Sequence, residues 1–324
     1  MSWILLVLFY GAVKGCREII QKKAMTRNSI MEILVFYTLL SFIFVVPQAK
    51  DALGMVPKFY LLIALKSFII FLAWICSFNA LKRLPVSLFG ILDMTGVLFA
   101  TMLGVVFLGE SLSVLRVLGL VTVCGGLLLL KFKPRFFRRS GVTQQSQASR
   151  HFVPKSQVGF YTAIAVLSCL LNAVSGFLDK LFMKDVTTSQ LQFWYLLFLC
   201  AYYVLYIFVR RIKVVEKRTS SGGSSDIRRT NAGNGGSPER VSLSVVKNGW
   251  VWLLAVLFVA GDKALFMANG IPESSVSVMT LIKQSSCIVT ILGGRIFFKE
   301  KDTGYKLFCA AVIIVGILLG TISA

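Results

Sequence analysis

Ten long apolar runs are the feature that most constrains how this chain folds. Each is close to the roughly 20 residues that an α-helix needs to cross the hydrocarbon core of a bilayer. Because lipid offers the backbone no hydrogen-bonding partner, such runs cross the membrane as helices. The sequence therefore predicts an all-α integral membrane protein with ten transmembrane helices. Their expected bounds are 3–24, 30–47, 58–81, 85–108, 114–131, 158–182, 188–209, 249–269, 272–298 and 305–323.

The composition of the chain supports a membrane protein and excludes two soluble classes. Hydrophobic residues make up 56% of the 324 residues and charged residues only 15%, whereas soluble domains carry about 25% charged residues. So apolar a chain has too little polar surface to cover a fold that faces water. A soluble enzyme and a nucleic-acid-binding module are therefore excluded as descriptions of the whole chain.

Two basic stretches hold most of the net charge of +21. We expect 132–157 to be a basic loop between two halves of the chain and 210–247 to be a flexible basic loop. Within the latter, Ser220–Ser237 is rich in Ser, Gly and Asn, which is typical of a linker. Over the nine predicted loops, the odd-numbered ones carry 23 Lys and Arg residues and the even-numbered ones four. The positive-inside rule then predicts cytoplasmic odd-numbered loops in a multi-pass protein of the cell (plasma or inner) membrane.

The chain also contains an internal repeat. The matching positions are Gly109-Glu110 with Lys299-Glu300, Gly126 with Gly316, Ala12–Gly15 with Ala173–Gly176, and Glu18 with Asp179. Residues 1–131 and 158–324 are thus predicted to be two copies of a five-helix unit, here called the first and second halves. Because five is an odd number, the copies are expected to cross the membrane in opposite orientations. Inverted repeats of this kind are typical of transporters whose substrate site lies near the midplane, between the halves.

The fourth and fifth runs carry a family resemblance. Leu84-Pro85 is followed by an apolar run to Leu108-Gly109-Glu110-Ser111-Leu112 and then by a helix that ends in Gly125-Gly126. This pattern resembles the EamA repeat of the drug/metabolite transporter superfamily. The second half differs, with Lys299-Glu300-Lys301 in place of the usual Gly-Glu. The resemblance implies a ten-helix carrier that works by alternating access, but it does not imply a particular substrate.

Charged residues deep inside the apolar runs are the candidates for function, because such residues are costly in a membrane. The deepest are Lys14, Lys66, Asp93, Asp262, Lys263 and Lys283. Four lysines against two aspartates predict a positively charged interior. We therefore expect the substrate to be a small anionic or zwitterionic metabolite, such as an amino acid or organic acid.

Asp93 and Lys283 occupy equivalent positions of the two halves, at an offset of 190 residues. They are expected either to form an ion pair that joins the halves or to line the substrate site, and both roles can coexist. Each begins a row of small residues that lets helices approach closely. The two rows are Gly96, Ala100 and Gly104, and Ser286, Thr290 and Gly294.

The remaining candidates are assigned by position. Lys14, Trp74, Asn172, Lys263 and Gln284 join Asp93 and Lys283 as predicted substrate-binding residues. Glu18, Asp179 and Asp262 are predicted to be structural or coupling residues. Since Asp262 and Lys263 point about 100° apart on a helix, we favour Lys263 for the cavity. Lys66 is expected to snorkel towards the membrane surface, and Arg17-Glu18 and Asp179-Lys180 are expected to be local pairs there.

The sequence contains no nucleotide-binding loop, no metal-ligand motif and no catalytic cluster. We therefore expect neither an enzyme nor a cofactor or metal. The expected partners are a small-molecule substrate and the lipid bilayer, with no nucleic acid, in a monomer or homodimer. Two alternatives remain. One is an exporter of drugs or lipophilic cations from the same superfamily, and the other is a non-transporting membrane scaffold whose basic loops bind lipid.

Overall fold

The computed structural model describes residues 2–26, 28–93, 95–109, 113–131, 155–220, 245, 248–299 and 303–322. Over these ranges the chain is helical and contains no β-strand, which confirms the predicted all-α class. The first half forms α1 (Ser2–Ala24), α2 (Ile30–Val45), a 3₁₀ helix (Val46–Ala52), α3 (Pro57–Arg83), α4 (Val86–Asp93), α5 (Thr95–Leu108) and α6 (Val114–Lys131). The second half forms α7 (Lys155–Phe182), α8 (Thr188–Ser220), α9 (Gly249–Asn269), α10 (Val276–Lys283), α11 (Ser286–Phe298) and α12 (Thr303–Ile322).

Every predicted apolar run is helical, but the runs differ in how well they suit a membrane. Among the described residues, seven segments are long and apolar enough to cross one. They are Ile30–Ala52, Pro57–Arg83, Leu88–Leu108, Gln157–Phe182, Thr188–Val209, Gly249–Asn269 and Val276–Phe298. α6 and α12 contain shorter apolar helices, and α1 is interrupted by Lys14, Arg17 and Glu18. The chain is therefore an all-helical protein with several membrane-spanning segments.

One run that the sequence predicts as continuous is broken near its middle. The ninth run splits where α10 ends at Lys283 and α11 begins at Ser286. At this break, the N–H groups of Gln284 and Ser285 donate to carbonyls three residues earlier, at 3.0 Å each. Such tightening into a 3₁₀-like turn interrupts the α-helical pattern. The break places the charged Lys283 at the end of a half-helix, while in the fourth run residue 94, between α4 and α5, lies outside the described residues.

The predicted loop bounds need two corrections. α8 continues to Ser220, so residues 210–220 are helical rather than part of a flexible loop. The reason is local, because this stretch lacks Gly and Pro and is rich in Lys, Arg and Glu, which favour helices. α7 likewise begins at Lys155, inside the predicted basic loop 132–157. Apart from Val245, the remainder of both basic loops lies outside the described residues, as do Glu110–Leu112 and Glu300-Lys301.

The helices of the two halves pack in matching combinations. α1 packs against α9 as α7 packs against α3, and α11 packs against α1 as α5 packs against α7. α4 lies against α11 while α5 lies against α10, so the fourth and ninth runs lie antiparallel to each other.

α6 and α12 pack closely against each other across the two halves. A methyl group on Gly126 would lie 2.6 Å from Ile313, and one on Gly316 would lie 2.9 Å from Val123. Each residue of one contact is 190 positions from its counterpart in the other. The contact is therefore reciprocal, and it runs antiparallel because Gly126 faces an earlier part of α12 than Val123 does.

Candidate functional site

A cavity of about 170 Å³ lies among the helices, with lining residues from both halves. Eight charged side chains of the described residues face it: Lys14, Arg17, Glu18, Lys66, Asp93, Asp179, Asp262 and Lys283. Four are cations and four are carboxylates. The predicted positive charge of the interior is therefore wrong. Arg17, Glu18 and Asp179, which were expected near the membrane surface, also line the cavity.

Six of the eight charges form three ion pairs. The pairs are Lys14 with Asp93, Arg17 Nη1 with Asp262 Oδ1 at 3.5 Å, and Lys66 Nζ with Asp179 Oδ1 at 2.6 Å. These pairs join α1 to α4, α1 to α9, and α3 to α7. Attraction between opposite charges is stronger in a low-dielectric interior than in water, which offsets the cost of removing them from water. The pairs therefore hold helices of different sequence regions around the cavity.

The predicted pair between Asp93 and Lys283 is not formed. Asp93 binds Lys14 instead, on the neighbouring α1. The offset of 190 pairs Asp93 with Lys283 as equivalent positions of the two halves, but equivalence does not bring two side chains into contact. Helix packing decides the partner, and α1 lies against α4.

Lys66 is buried rather than snorkelling to the membrane surface. It is 1% exposed, and its ammonium group lies 4.1 Å from the ring centre of Tyr195 and 4.8 Å from that of Phe266. These cation–π contacts add to the ion pair with Asp179. The expected Asp179-Lys180 pair is also wrong, because Lys180 donates to the backbone carbonyls of Asn269, the last residue of α9, and of Ile271, at 3.1 and 2.9 Å.

Arg17 and Glu18 lie in the cavity wall and do not form the local surface pair expected from the sequence. Arg17 is buried over the Phe258 ring, at 4.5 Å from its centre. The spacing on α1 contains a signal that identifies this wall. Tyr10, Lys14, Arg17 and Gln21 recur every three or four residues, and all line the cavity. Taken as one polar face of α1, these four residues are predicted to line the same cavity.

The neighbours Asp262 and Lys263 have the opposite roles to those expected. Asp262 is buried and lines the cavity, while Lys263 is exposed on the outside of α9. Both cannot face one site on a helix, so the ion pair with Arg17 fixes the rotation of α9 and turns Lys263 outwards. The predicted substrate-binding role of Lys263 therefore has no support in the geometry.

Lys283 and Glu18 are the two charges of the cavity that form no ion pair with any described residue. Lys283 Nζ lies 5.7 Å from the ring centre of Tyr10, and a methyl group on Gly176 would lie 4.0 Å from it. Glu18 is 5% exposed, and its Oε2 accepts no hydrogen bond from the described part of the chain. The cavity therefore has one open cation and one open anion.

Three uncharged residues predicted to bind substrate also line the cavity. The Trp74 ring packs on Phe258, with ring centres 5.0 Å apart. Asn172 Nδ2 and Gln284 Nε2 each donate to a carbonyl one turn earlier, at 2.8 and 3.3 Å. Gln284 Oε1 is buried and accepts no hydrogen bond from a described residue. Gln284 is thus the one of the three with a buried acceptor that remains open.

The two rows of small residues pack helices, but not against each other. Gly96 and Ala100 line the cavity, and a methyl group on Gly96 would lie 3.8 Å from Cys169 of α7. On α11, Thr290 Oγ1 would lie 2.7 Å from a methyl group on Gly90 of α4. The other members, Gly104, Ser286 and Gly294, are buried. The small residues of the two rows therefore allow α5 to pack closely against α7, and α11 against α4.

Apolar helices gathered around a charged cavity define a multi-pass integral membrane protein. Residues 1–132 match the model of the EamA-like transporter family. The resemblance noted in the sequence is thereby confirmed over those residues. A solved structure described only as "Crystal structure of protein" has a TM-score of 0.61 and 13% identity, covering 100% of this chain and 96% of that one. At that identity the likeness shows the fold alone. No curated protein sequence matches the chain.

Proposed function

We propose that the chain is a secondary transporter that moves a small metabolite across the membrane by alternating access. The observation that carries this proposal is the cavity itself, in which charged side chains from both halves face a space bordered by the broken helix α10–α11. Substrate sites at broken helices near the membrane midplane are typical of secondary transporters. The family match over residues 1–132 supports a transporter rather than an enzyme.

We further propose that residues 1–131 and 158–324 are inverted repeats of five spans each, ten in all. The matching helix combinations and the reciprocal contact between Gly126 and Gly316 and their partners support this arrangement. Two such halves tilt against each other with little internal change, which exposes the cavity first to one side and then to the other. The three ion pairs are then contacts that this movement keeps or exchanges.

For the substrate, we propose a small zwitterionic or anionic metabolite, such as an amino acid or organic acid. The balance of four cations and four carboxylates favours the zwitterion, because a net anion would leave its charge uncompensated. The open carboxylate of Glu18 equally supports the alternative, an exporter of drugs or lipophilic cations. Lys283 argues against that alternative, since an open ammonium group repels a second cation.

Transport by purified protein in liposomes tests the proposal. We expect saturable uptake of labelled amino acids or organic acids above that of empty liposomes, with labelled organic cations as the comparison. Saturable transport of organic cations alone would establish the alternative. A version that lacks residues 221–237 should transport equally well, whereas a scaffold that acts through its basic loops would lose its function.

The setting of the protein is proposed from the charge distribution. Odd-numbered loops face the cytoplasm of a cell (plasma or inner) membrane, and both termini face outside. A protease-sensitive tag on the N-terminus of cells should then be cleaved without permeabilisation, while a tag inserted at 230 should be protected. The monomer and the homodimer are distinguished by the mass of the detergent-solubilised protein.

A further inference from the structure

We propose that Lys283 and Glu18 are the two ends of one binding site, which takes a zwitterion whose ammonium and carboxylate groups stand several bonds apart. This inference rests on the proposed transport function. Among the described charges of the cavity, these two have no ion-pair partner, and they have opposite signs. A ligand that carries both charges compensates both residues at once.

Lys283 is the end that binds the carboxylate. The carboxylates nearest in the fold are already engaged, since Asp93 binds Lys14, Asp179 binds Lys66 and Asp262 binds Arg17. Its equivalent Asp93 is paired by Lys14, but the position equivalent to Lys14 in the second half is Ser175, which carries no charge. Lys283 therefore lacks the partner that the symmetry of the fold supplies to Asp93.

Glu18 is the end that binds the ammonium group. Its carboxylate is buried in the cavity wall, and a methyl group on Gly90 would lie 3.8 Å from its Oε2. The cations next to it along α1, Lys14 and Arg17, are held by Asp93 and Asp262. A buried carboxylate oxygen without a donor is costly, and an incoming ammonium group supplies the missing donor.

The distance between the two ends sets the length of the ligand. Lys283 approaches Tyr10, which precedes Glu18 by eight residues on α1. Eight residues advance a helix by about 12 Å, which is the spacing of the two positions along the axis of α1. An α-amino acid, with its charges on neighbouring carbons, is much shorter than that spacing. An ω-amino acid or a dipeptide, with its charges at opposite ends of an extended chain, matches it better.

The space between the ends suits such a chain. The Lys14–Asp93 pair, which lies between them along α1, is internally neutral. Gly176 leaves the approach to Lys283 open, because it has no side chain to fill that space. The linking atoms of the ligand then meet apolar and neutral surface.

Binding to the full-length protein in detergent tests the inference with a series of defined probes. These are glycine, β-alanine, γ-aminobutyrate, δ-aminovalerate and ε-aminocaproate, together with valerate and pentylamine, which each lack one charge. We expect affinity to rise from glycine to an optimum among the longer members. Each single-charge probe should bind δ-aminovalerate's site about 10- to 100-fold more weakly, the range expected for a lost charged hydrogen bond. Equal binding of glycine and the longest probes would overturn the proposed spacing.

Two variants assign the ends. In Glu18→Gln, δ-aminovalerate should bind no better than valerate, and in Lys283→Gln it should bind no better than pentylamine. The exposed Lys263→Gln should retain the wild-type pattern. If both variants still bind δ-aminovalerate more tightly than valerate and pentylamine, the inference is overturned. If either variant fails to fold, the probe series on the wild-type protein still decides the spacing.

Failure of this inference is separable from failure of the proposed function. Transport of other metabolites, without binding of any probe in the series, would overturn the two-ended site and leave the transporter intact. A protein that transports no member of any substrate class in liposomes would overturn the transporter itself.

Discussion

The fourth and ninth runs differ in how their central charges are compensated, although they occupy equivalent places in the two halves. In the fourth run, Asp93 is paired by Lys14 of α1. In the ninth, Lys283 has no ion pair among the described residues, and the equivalent of Lys14 on α7 is the uncharged Ser175. The comparison teaches that a single residue on the neighbouring helix decides whether a repeated position holds a closed charge, one with an ion-pair partner, or an open charge, one without.

The largest loss of stability is expected at the most buried ion pair, between Lys66 and Asp179. Lys66→Met leaves Asp179 buried without its partner, which should cost about 3–5 kcal/mol. Reversible unfolding of the protein in mixed micelles measures the loss. Lys263→Met is the matched control and should stay within about 0.5 kcal/mol of wild type, because Lys263 is exposed. A Lys66→Met protein as stable as the control would show that the closed pair contributes nothing.

The free energy of unfolding should respond differently to the loss of the paired Lys14 and to the loss of the unpaired Lys283. Lys14→Met strands Asp93, and since this pair is partly exposed the cost should be smaller, about 1–3 kcal/mol. Lys283→Met removes an unpaired charge and should leave the free energy of unfolding unchanged or raised. Thermal unfolding of both variants in parallel makes the comparison. A larger loss for Lys283→Met than for Lys14→Met would reverse the assignment of closed and open ends.

A smaller effect should distinguish equivalent glycines on α1 and α7. A methyl group on Gly15 would lie 2.6 Å from Val289 Cβ and 2.7 Å from the Ser286 carbonyl oxygen. Gly15→Ala should therefore destabilise by about 1–2 kcal/mol, as overpacking does. Gly176→Ala meets only Lys283 Nζ at 4.0 Å, so its unfolding midpoint should match or exceed that of wild type. Equal destabilisation would show that both halves are packed equally tightly at this level.

The sequence predicts the helices of this fold well, but not the partners of its charges. Apolar runs mark helix positions directly, and the eighth run and α9 have identical bounds, Gly249–Asn269. The break at Lys283 is missed because hydropathy averages over a window and does not register a single tightened turn. Ion pairs join residues up to 245 positions apart, as in Arg17 and Asp262. Only the packing of the helices decides such contacts.

Some features of the site can be predicted from the sequence. The polar face of α1 at three- and four-residue spacing marks a cavity wall that includes Arg17. The repeat pairs Lys14 with Ser175, which already indicates that one half contains a cation where the other does not. The orientation of the Asp262 side chain towards the cavity cannot be predicted from the sequence. Two adjacent residues differ only in helix rotation, and the rotation is set by contacts with other helices.

The most direct test of the account is to close the open end without removing it. Ser175→Asp places a carboxylate at the position equivalent to Lys14, on the helix beside Lys283. The measurement is uptake of labelled δ-aminovalerate into liposomes that contain wild-type or Ser175→Asp protein, with Ser175→Asn as the uncharged control. We predict saturable uptake by wild type and the control, and uptake at the level of empty liposomes by Ser175→Asp, in a protein that unfolds no earlier. Undiminished uptake by Ser175→Asp would contradict the account.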